Sequence, residues 1–103
     1  MIRRTLPQRR ASETFDLRFW SQNCTVTVGF YPDGTPAEVF VDIAKSGADI
    51  AGIARDVGVV ISLALQHDVE IETLRHAVTR DARGEAASLV GAVVDALIVR
   101  GAA

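Results

Sequence analysis

The chain has 103 residues, of which 49% are hydrophobic, and a formal net charge of −2. That length makes one domain with a modest core, too short to enclose a nucleotide or a corrin ring in a large active-site cleft, and the composition excludes disorder. The slight acidity supplies no general attraction to nucleic acid or an anionic membrane. No apolar run approaches the ~18 residues of a membrane span, and the arginine-rich start is not followed by an apolar stretch, so neither a span nor a secretory signal is expected. Cys24 is the one cysteine, which permits no internal disulfide. A cytoplasmic, reducing compartment is the expectation.

Residues 1–12 read as a flexible basic arm ahead of a single domain over 13–103. Arg3, Arg4, Arg9 and Arg10 all fall in this arm, whereas every acidic side chain follows it. The arm is basic and the body acidic. From Glu13 the pattern turns to strict alternation. Phe15, Leu17 and Phe19 point one way and Asp16, Arg18 and Trp20 the other. Cys24, Val26, Val28 and Phe30 then alternate with Thr25, Thr27, Gly29 and Tyr31. A third run, Ala37, Val39, Val41 and Ile43, alternates with Glu38, Phe40 and Asp42. Strands are therefore predicted over Glu13–Trp20, Cys24–Tyr31 and Pro36–Ile43.

The turn between the second and third strands, Pro32-Asp33-Gly34-Thr35, combines a proline that presets φ with a glycine free to take positive φ. A three-residue loop closed by Tyr31 and Thr35 would set Val28 opposite Glu38 and oppose the apolar faces. A four-residue loop closed by Tyr31 and Pro36 pairs Val28 with Val39 and Val26 with Val41, and is the reading adopted. The result is an antiparallel meander with Phe15, Leu17, Phe19, Val26, Val28, Phe30, Val39 and Val41 on its inner face. Its outer face mixes Trp20, Tyr31 and Phe40 with Asp16, Arg18, Glu38 and Asp42.

Ser46–His67 is predicted as the core helix, apolar enough to be buried on nearly every side. Between Val57 and Leu65 the one polar residue is Ser62. Ser46 with Asp49 three residues on is a capping-box pattern. Gly52 and Gly58 each weaken a helix by ~1 kcal/mol, so close packing against a neighbour is the expected reason for them. Glu70–Val78 reads as a second helix and Ala86–Val99 as a third. On the third, Leu89, Val93 and Leu97 with Val90, Val94 and Ile98 form a stripe wider than one neighbour needs. The expected fold is α+β: a three-stranded antiparallel β-meander followed by three helices packed on one face.

Candidate chemistry is sparse. Cys24 has an inward phase and no nearby Cys or His in sequence, the setting of a buried inert thiol. His67, at a helix C-terminus, is accounted for by capping. No metal-ligand spacing and no catalytic motif occurs, so no catalytic or metal residue is assigned. Lys45, Ser46 and Gly47, just before the core helix, are a candidate anion contact, although Asp49 in the first turn opposes it. Arg80 and Arg83 are a second candidate for anion or partner contact.

With these segments in place the chain resembles the TSCPD domain found at the C-terminus of adenosylcobalamin-dependent (class II) ribonucleotide reductases. The likeness runs through LPQRR (Leu6–Arg10), TVGFYPDGTPAEVFVDIAKSG (Thr27–Gly47) and SLALQHDV (Ser62–Val69), and more loosely through VGAVVDAL in the last helix. It resembles the short versions in which the domain stands alone. The family takes its name from a Thr-Ser-Cys-Pro-Asp element in a cysteine-bearing tail, and this chain has no cysteine after Cys24. Asp68 and Glu70 stand where the family usually shows Gly and Pro.

The resemblance implies a link to ribonucleoside-diphosphate reductase and deoxyribonucleotide synthesis. Catalysis there needs a radical-generating cofactor, a thiyl cysteine and a reducing cysteine pair, which one cysteine does not supply. The expectation is an accessory, assembly or regulatory module that takes no cofactor itself, adenosylcobalamin belonging to the full-length relatives. Its partners would be a reductase large subunit and, at need, a nucleotide. The alternative is a stand-alone nucleotide or small-ligand sensor. Nucleic-acid binding through the arm is disfavoured by the acidic body. The surplus apolar surface also predicts a homodimer, through Val90, Val94 and Ile98 ahead of a sheet-face interface at Trp20, Tyr31 and Phe40.

Overall fold

A computed structural model of the chain describes residues 2–19, 21–43 and 47–100. Three strands, β1 (Ser12–Phe19), β2 (Gln22–Phe30) and β3 (Pro36–Ile43), precede three helices, α1 (Ala48–Gln66), α2 (Ile71–Ala77) and α3 (Leu89–Val99). The sheet is an antiparallel meander in the order β1-β2-β3, as the alternation predicts. Val26 pairs with Val41 and Val28 with Val39. Both valine pairs are buried, so the inner face has the expected phase.

The turn reaches that register by another route. Tyr31 donates its N–H to the Thr35 carbonyl at 2.9 Å, the shorter closure. A register shift at Gly29/Phe30 then sets Phe30 opposite Pro36 but Gly29 opposite Glu38, leaving Ala37 as an extra residue in β3. The bulge returns Val28 to Val39. It sits beside Pro36, which has no N–H to give a ladder. Asp33 completes the turn by accepting from the Thr35 N–H at 2.9 Å and hydroxyl at 2.6 Å. These bonds hold the Asp33 carboxyl below the usual carboxylate range.

α3 supplies Leu89, Val93, Val94 and Leu97 to the same cluster as Phe15, Val26, Val28, Val39 and Val41. It starts at Leu89 rather than Ala86 because Ser88 caps it, accepting from the Gly91 N–H at 3.3 Å. Ala86 is instead bridged to Arg80. Arg100, just past α3, lies 4.1 Å over the Phe15 ring and donates to Glu13 at 2.6 Å, tying the helix end to β1.

The burial of the helices departs from expectation. α1 runs along the free edge of β3, not over the middle of the sheet, so one side alone is covered. Ala54, Ile61 and Leu65 are buried, while Ile53, Val59, Val60 and Leu63 are exposed, Val60 at 60%. α3 is the more deeply covered helix, with Leu89, Val93, Val94 and Leu97 buried. Val94 is fully buried within the chain and offers no surface to a partner, and Val90 and Ile98 are half-buried. Of the proposed sheet-face interface, Phe40 is exposed, but Tyr31 is buried. Tyr31 falls after β2 ends at Phe30, so strand alternation no longer sets its direction. Trp20 lies outside the described residues.

Candidate functional site: the clasp of arm, sheet edge and α1

An edge strand presents unpaired backbone groups that must be satisfied or covered. On β3 the residues Ala37, Val39 and Val41 turn theirs toward α1, and three positions of the helix meet them. At Gly58 a Cβ would lie 2.8 Å from the Val39 carbonyl oxygen and 3.2 Å from the Val41 nitrogen. That glycine lets the helix backbone approach the strand, as its sequence position predicts. Ser62 Oγ accepts from the Val39 N–H at 2.8 Å and donates to the Val39 carbonyl at 3.1 Å. One turn on, Gln66 Nε2 donates to the Ala37 carbonyl at 3.1 Å.

Gln66 also holds the N-terminal arm. Its side chain is buried, its Oε1 accepts from Arg3 Nε, and its backbone carbonyl accepts from the Arg4 N–H at 2.6 Å. Arg4 stacks over the Tyr31 ring with its guanidinium 3.6 Å from the centroid and reaches Asp68 at 3.8 Å. Arg10 donates to Glu38, whose side chain crosses Gly29: a Cβ at Gly29 would meet Glu38 Cγ at 2.8 Å. Three arginines thus bind the segment before β1 to α1, β3 and the β2–β3 turn. Together they line up a row of shallow clefts.

The first cleft, about 780 Å³, lies between Arg9, Arg10 and the outer-face residues Thr27 and Phe40. A second, about 510 Å³, follows the β3–α1 seam past Arg3, Phe40, Arg55, Val59 and Leu63. A third, about 470 Å³, is walled by Arg4, Tyr31, Leu65 and Ile71 with Asp68, Glu70 and Glu72 at its rim. The Tyr31 hydroxyl is buried and has no hydrogen-bond partner among the described residues. Glu72 is held below the usual carboxylate range by its hydrogen bond from Arg75 at 2.9 Å.

Of the residues singled out from sequence, Lys45 and Ser46 lie outside the described residues, so the capping box is not seen. Gly47 is the N-cap of α1, with no side-chain cap, and Asp49 occupies the first turn. Arg80 is not a free cation. Two of its nitrogens bind Asp95 at 2.7 and 2.8 Å, and the guanidinium also donates to the carbonyls of Arg75 and Gly84. These five bonds use the donor capacity of the group, so it clasps the α2–α3 connection rather than receiving an anion. Arg83 is exposed on that connection, 2.9 Å from Asp81 Oδ1 through its backbone N–H. Cys24 is buried and its thiol pKa is pushed up by desolvation, the state of an inert thiol. Sequence reading noted Ser62 as an anomaly but passed over Gln66, since a polar residue at a helix end draws no attention.

A short meander whose edge is sealed by a helix and an N-terminal arm defines a small α+β module. The match to known families is direct: the TSCPD domain model covers residues 2–98, arm included, and the chain belongs to the TSCPD domain family. It is 38% identical over 72 residues to a vitamin B12-dependent ribonucleotide reductase of Rhodopirellula baltica, a match spanning 70% of this chain and 7% of that enzyme. It is 31% identical to reductases of the same description from Streptantibioticus cattleyicolor, over 70% of this chain and 12% of the relative, and Agrobacterium fabrum, over 75% and 6%. The match is thus to a small part of each reductase. No solved structure matches. Among the described residues no helix is long and apolar enough to cross a membrane.

Proposed function

We propose that this chain is an accessory, assembly or regulatory module of ribonucleoside-diphosphate reduction, acting through protein contact and leaving the chemistry to a reductase large subunit. The observation that carries this reading is the match to about a tenth or less of a B12-dependent ribonucleotide reductase. Cys24 agrees with it, because one thiol enclosed in the core faces no substrate and has no second cysteine to form a reducing pair. The clefts described above, about 470 to 780 Å³, suit a drug-sized molecule. On this reading adenosylcobalamin belongs to the reductase large subunit. The test is trans-complementation. A class II reductase trimmed of its own TSCPD region is titrated with this chain while binding and turnover are followed. Micromolar binding with a change in turnover supports the reading; no binding and unchanged turnover at saturating concentrations overturns it.

A second reading, small-ligand sensing, is favoured by the cleft walled by Tyr31, Leu65 and Ile71. Three carboxylates rim that cleft against one arginine, so its chemistry selects a neutral or cationic ring over a nucleotide polyphosphate. Thermal-shift screening of nucleosides beside nucleotides separates the two ligand classes.

A further inference from the structure

Four of the exposed large apolar side chains among the described residues, Ile53, Val59, Val60 and Leu63, lie on α1, and their spacing is regular. Asp49, Ile53, Asp56, Val60, Leu63 and His67 recur at alternating four- and three-residue steps, the seam of a two-stranded coiled coil. Ile53 is 50% exposed, Val60 60% and Leu63 40%, and Val59 beside them 48%. The opposite side of α1 is committed to the edge of β3 through Gly58, Ser62 and Gln66. The seam is therefore free while the helix that bears it is held rigidly.

We propose that this seam is a homodimer interface, on which α1 of a second copy packs antiparallel. The pattern of acidic and apolar positions along the seam supports it, since that pattern is matched in one orientation only. In the antiparallel register that sets Asp49 against His67 of the second copy, Ile53 meets Leu63 and Asp56 meets Val60, and each layer is repeated by the two-fold axis. The pairing is self-complementary, as a closed dimer requires. Each acidic helix start meets the imidazole at the other helix's end, and the two helix dipoles oppose favourably. A parallel pairing instead stacks Asp49 directly on Asp49 and Asp56 directly on Asp56, two like-charge layers in register, which disfavours it. The two helices overlap over residues 50–66 of each, about 25 Å.

Gly52 is the independent sign. It was expected to mark close packing within the chain, yet a Cβ there would meet nothing within 4 Å. A helix-interior glycine weakens the helix without any internal return. Gly52 lies beside the seam, where an antiparallel helix would approach. Asp56 is the weak layer: it faces Val60 with no cation opposite, and its two copies stand in the adjoining central layers about 6 Å apart along the axis, which holds the association to the micromolar range.

The inference does not rest on the reductase reading and is tested on the full chain alone. Sedimentation equilibrium across micromolar concentrations should give a monomer–dimer equilibrium. Val60→Asp should weaken it at least ~30-fold, the loss of a hot-spot contact, while circular dichroism, and Tm at concentrations where the wild type is also monomeric, stay close to wild type because Val60 is exposed in the monomer. Asp56→Leu should tighten it at least tenfold, about the worth of one buried apolar layer in place of a charge. Orientation is read from disulfides: Ile53→Cys with Leu63→Cys should cross-link, and Ile53→Cys alone should not, its two copies standing ~15 Å apart along the axis. A chain that stays monomeric, a dimer indifferent to both charge changes, or ready cross-linking of Ile53→Cys alone overturns the proposal.

Discussion

A single hydroxyl, that of Ser62, closes both open backbone groups of Val39, accepting from its N–H at 2.8 Å and donating to its carbonyl at 3.1 Å. A side chain of α1 thereby takes the place of a fourth strand. The substitution matters because β3 would otherwise present a free edge, open to pairing with another chain. The contact also depends on Gly58, which admits the helix close enough for a short side chain to reach.

Ser62→Ala is predicted to cost about 1–3 kcal/mol, because it strands a buried N–H and carbonyl instead of merely removing one bond. Gly58→Ala should cost a comparable amount even though alanine is the better helix former, since its methyl would collide with the Val39 carbonyl. Chemical denaturation measures both. If the two variants unfold with the wild-type midpoint, the helix does not seal the edge as described.

This contact shows which parts of the fold were legible in sequence. The strand phases were, because Val26, Val28, Val39 and Val41 are apolar at strict period two and a slip of one residue would invert every side chain. The turn was legible only in outcome: composition names Pro32 and Gly34, but the bulge at Ala37 depends on how two strands meet. Burial of the helices was misread. Mean apolarity says that α1 and α3 both want cover, and only the topology decides that α3 lies over the sheet while α1 lies at its edge. Arg80 failed as a candidate site for a related reason, since its partner Asp95 is fifteen residues away on another element. Gln66 leaves no local signal; its value comes from touching Ala37 and Arg3, far off in the chain.

The corner after α1 is predicted to be improvable. Asp68 sits at φ 63, in the left-handed region that glycine occupies at no steric cost. Its ion pair with Arg4 is long and largely exposed, at 3.8 Å, and contributes little. Asp68→Gly should therefore stabilise the domain by about 0.5–1 kcal/mol. Glu70, with φ −72, already has the backbone of a proline, and its carbonyl, which accepts from the Thr73 and Leu74 N–H groups, survives the change. Glu70→Pro should add about 0.4–1 kcal/mol by restricting the unfolded chain. Thermal melts of the two single variants and the pair check this; a lower Tm in both would mean that the corner is not built as described.

The Arg80–Asp95 clasp makes a prediction about acid. The hydrogen bonds from Arg80, with its charge, hold the Asp95 carboxyl below the usual carboxylate range, and the same contact raises Arg80. A carboxyl depressed in the folded state contributes stability that is present above its unfolded value, near ~3.9, and is lost as pH falls through the folded one. The pair is partly exposed, so its worth is modest, and Asp95→Asn should cost about 1 kcal/mol at neutral pH. The difference from wild type should then shrink as pH falls below ~4, because protonation removes in the wild type what the substitution has already removed. Arg80→Ala should cost more than Asp95→Asn, since it also strips donors from the carbonyls of Arg75 and Gly84. Urea midpoints for wild type and both variants, measured at pH 7 and again near pH 3, test the sign. A wild-type advantage over Asp95→Asn that persists unchanged at the lower pH would show that the carboxylate is not what Arg80 holds.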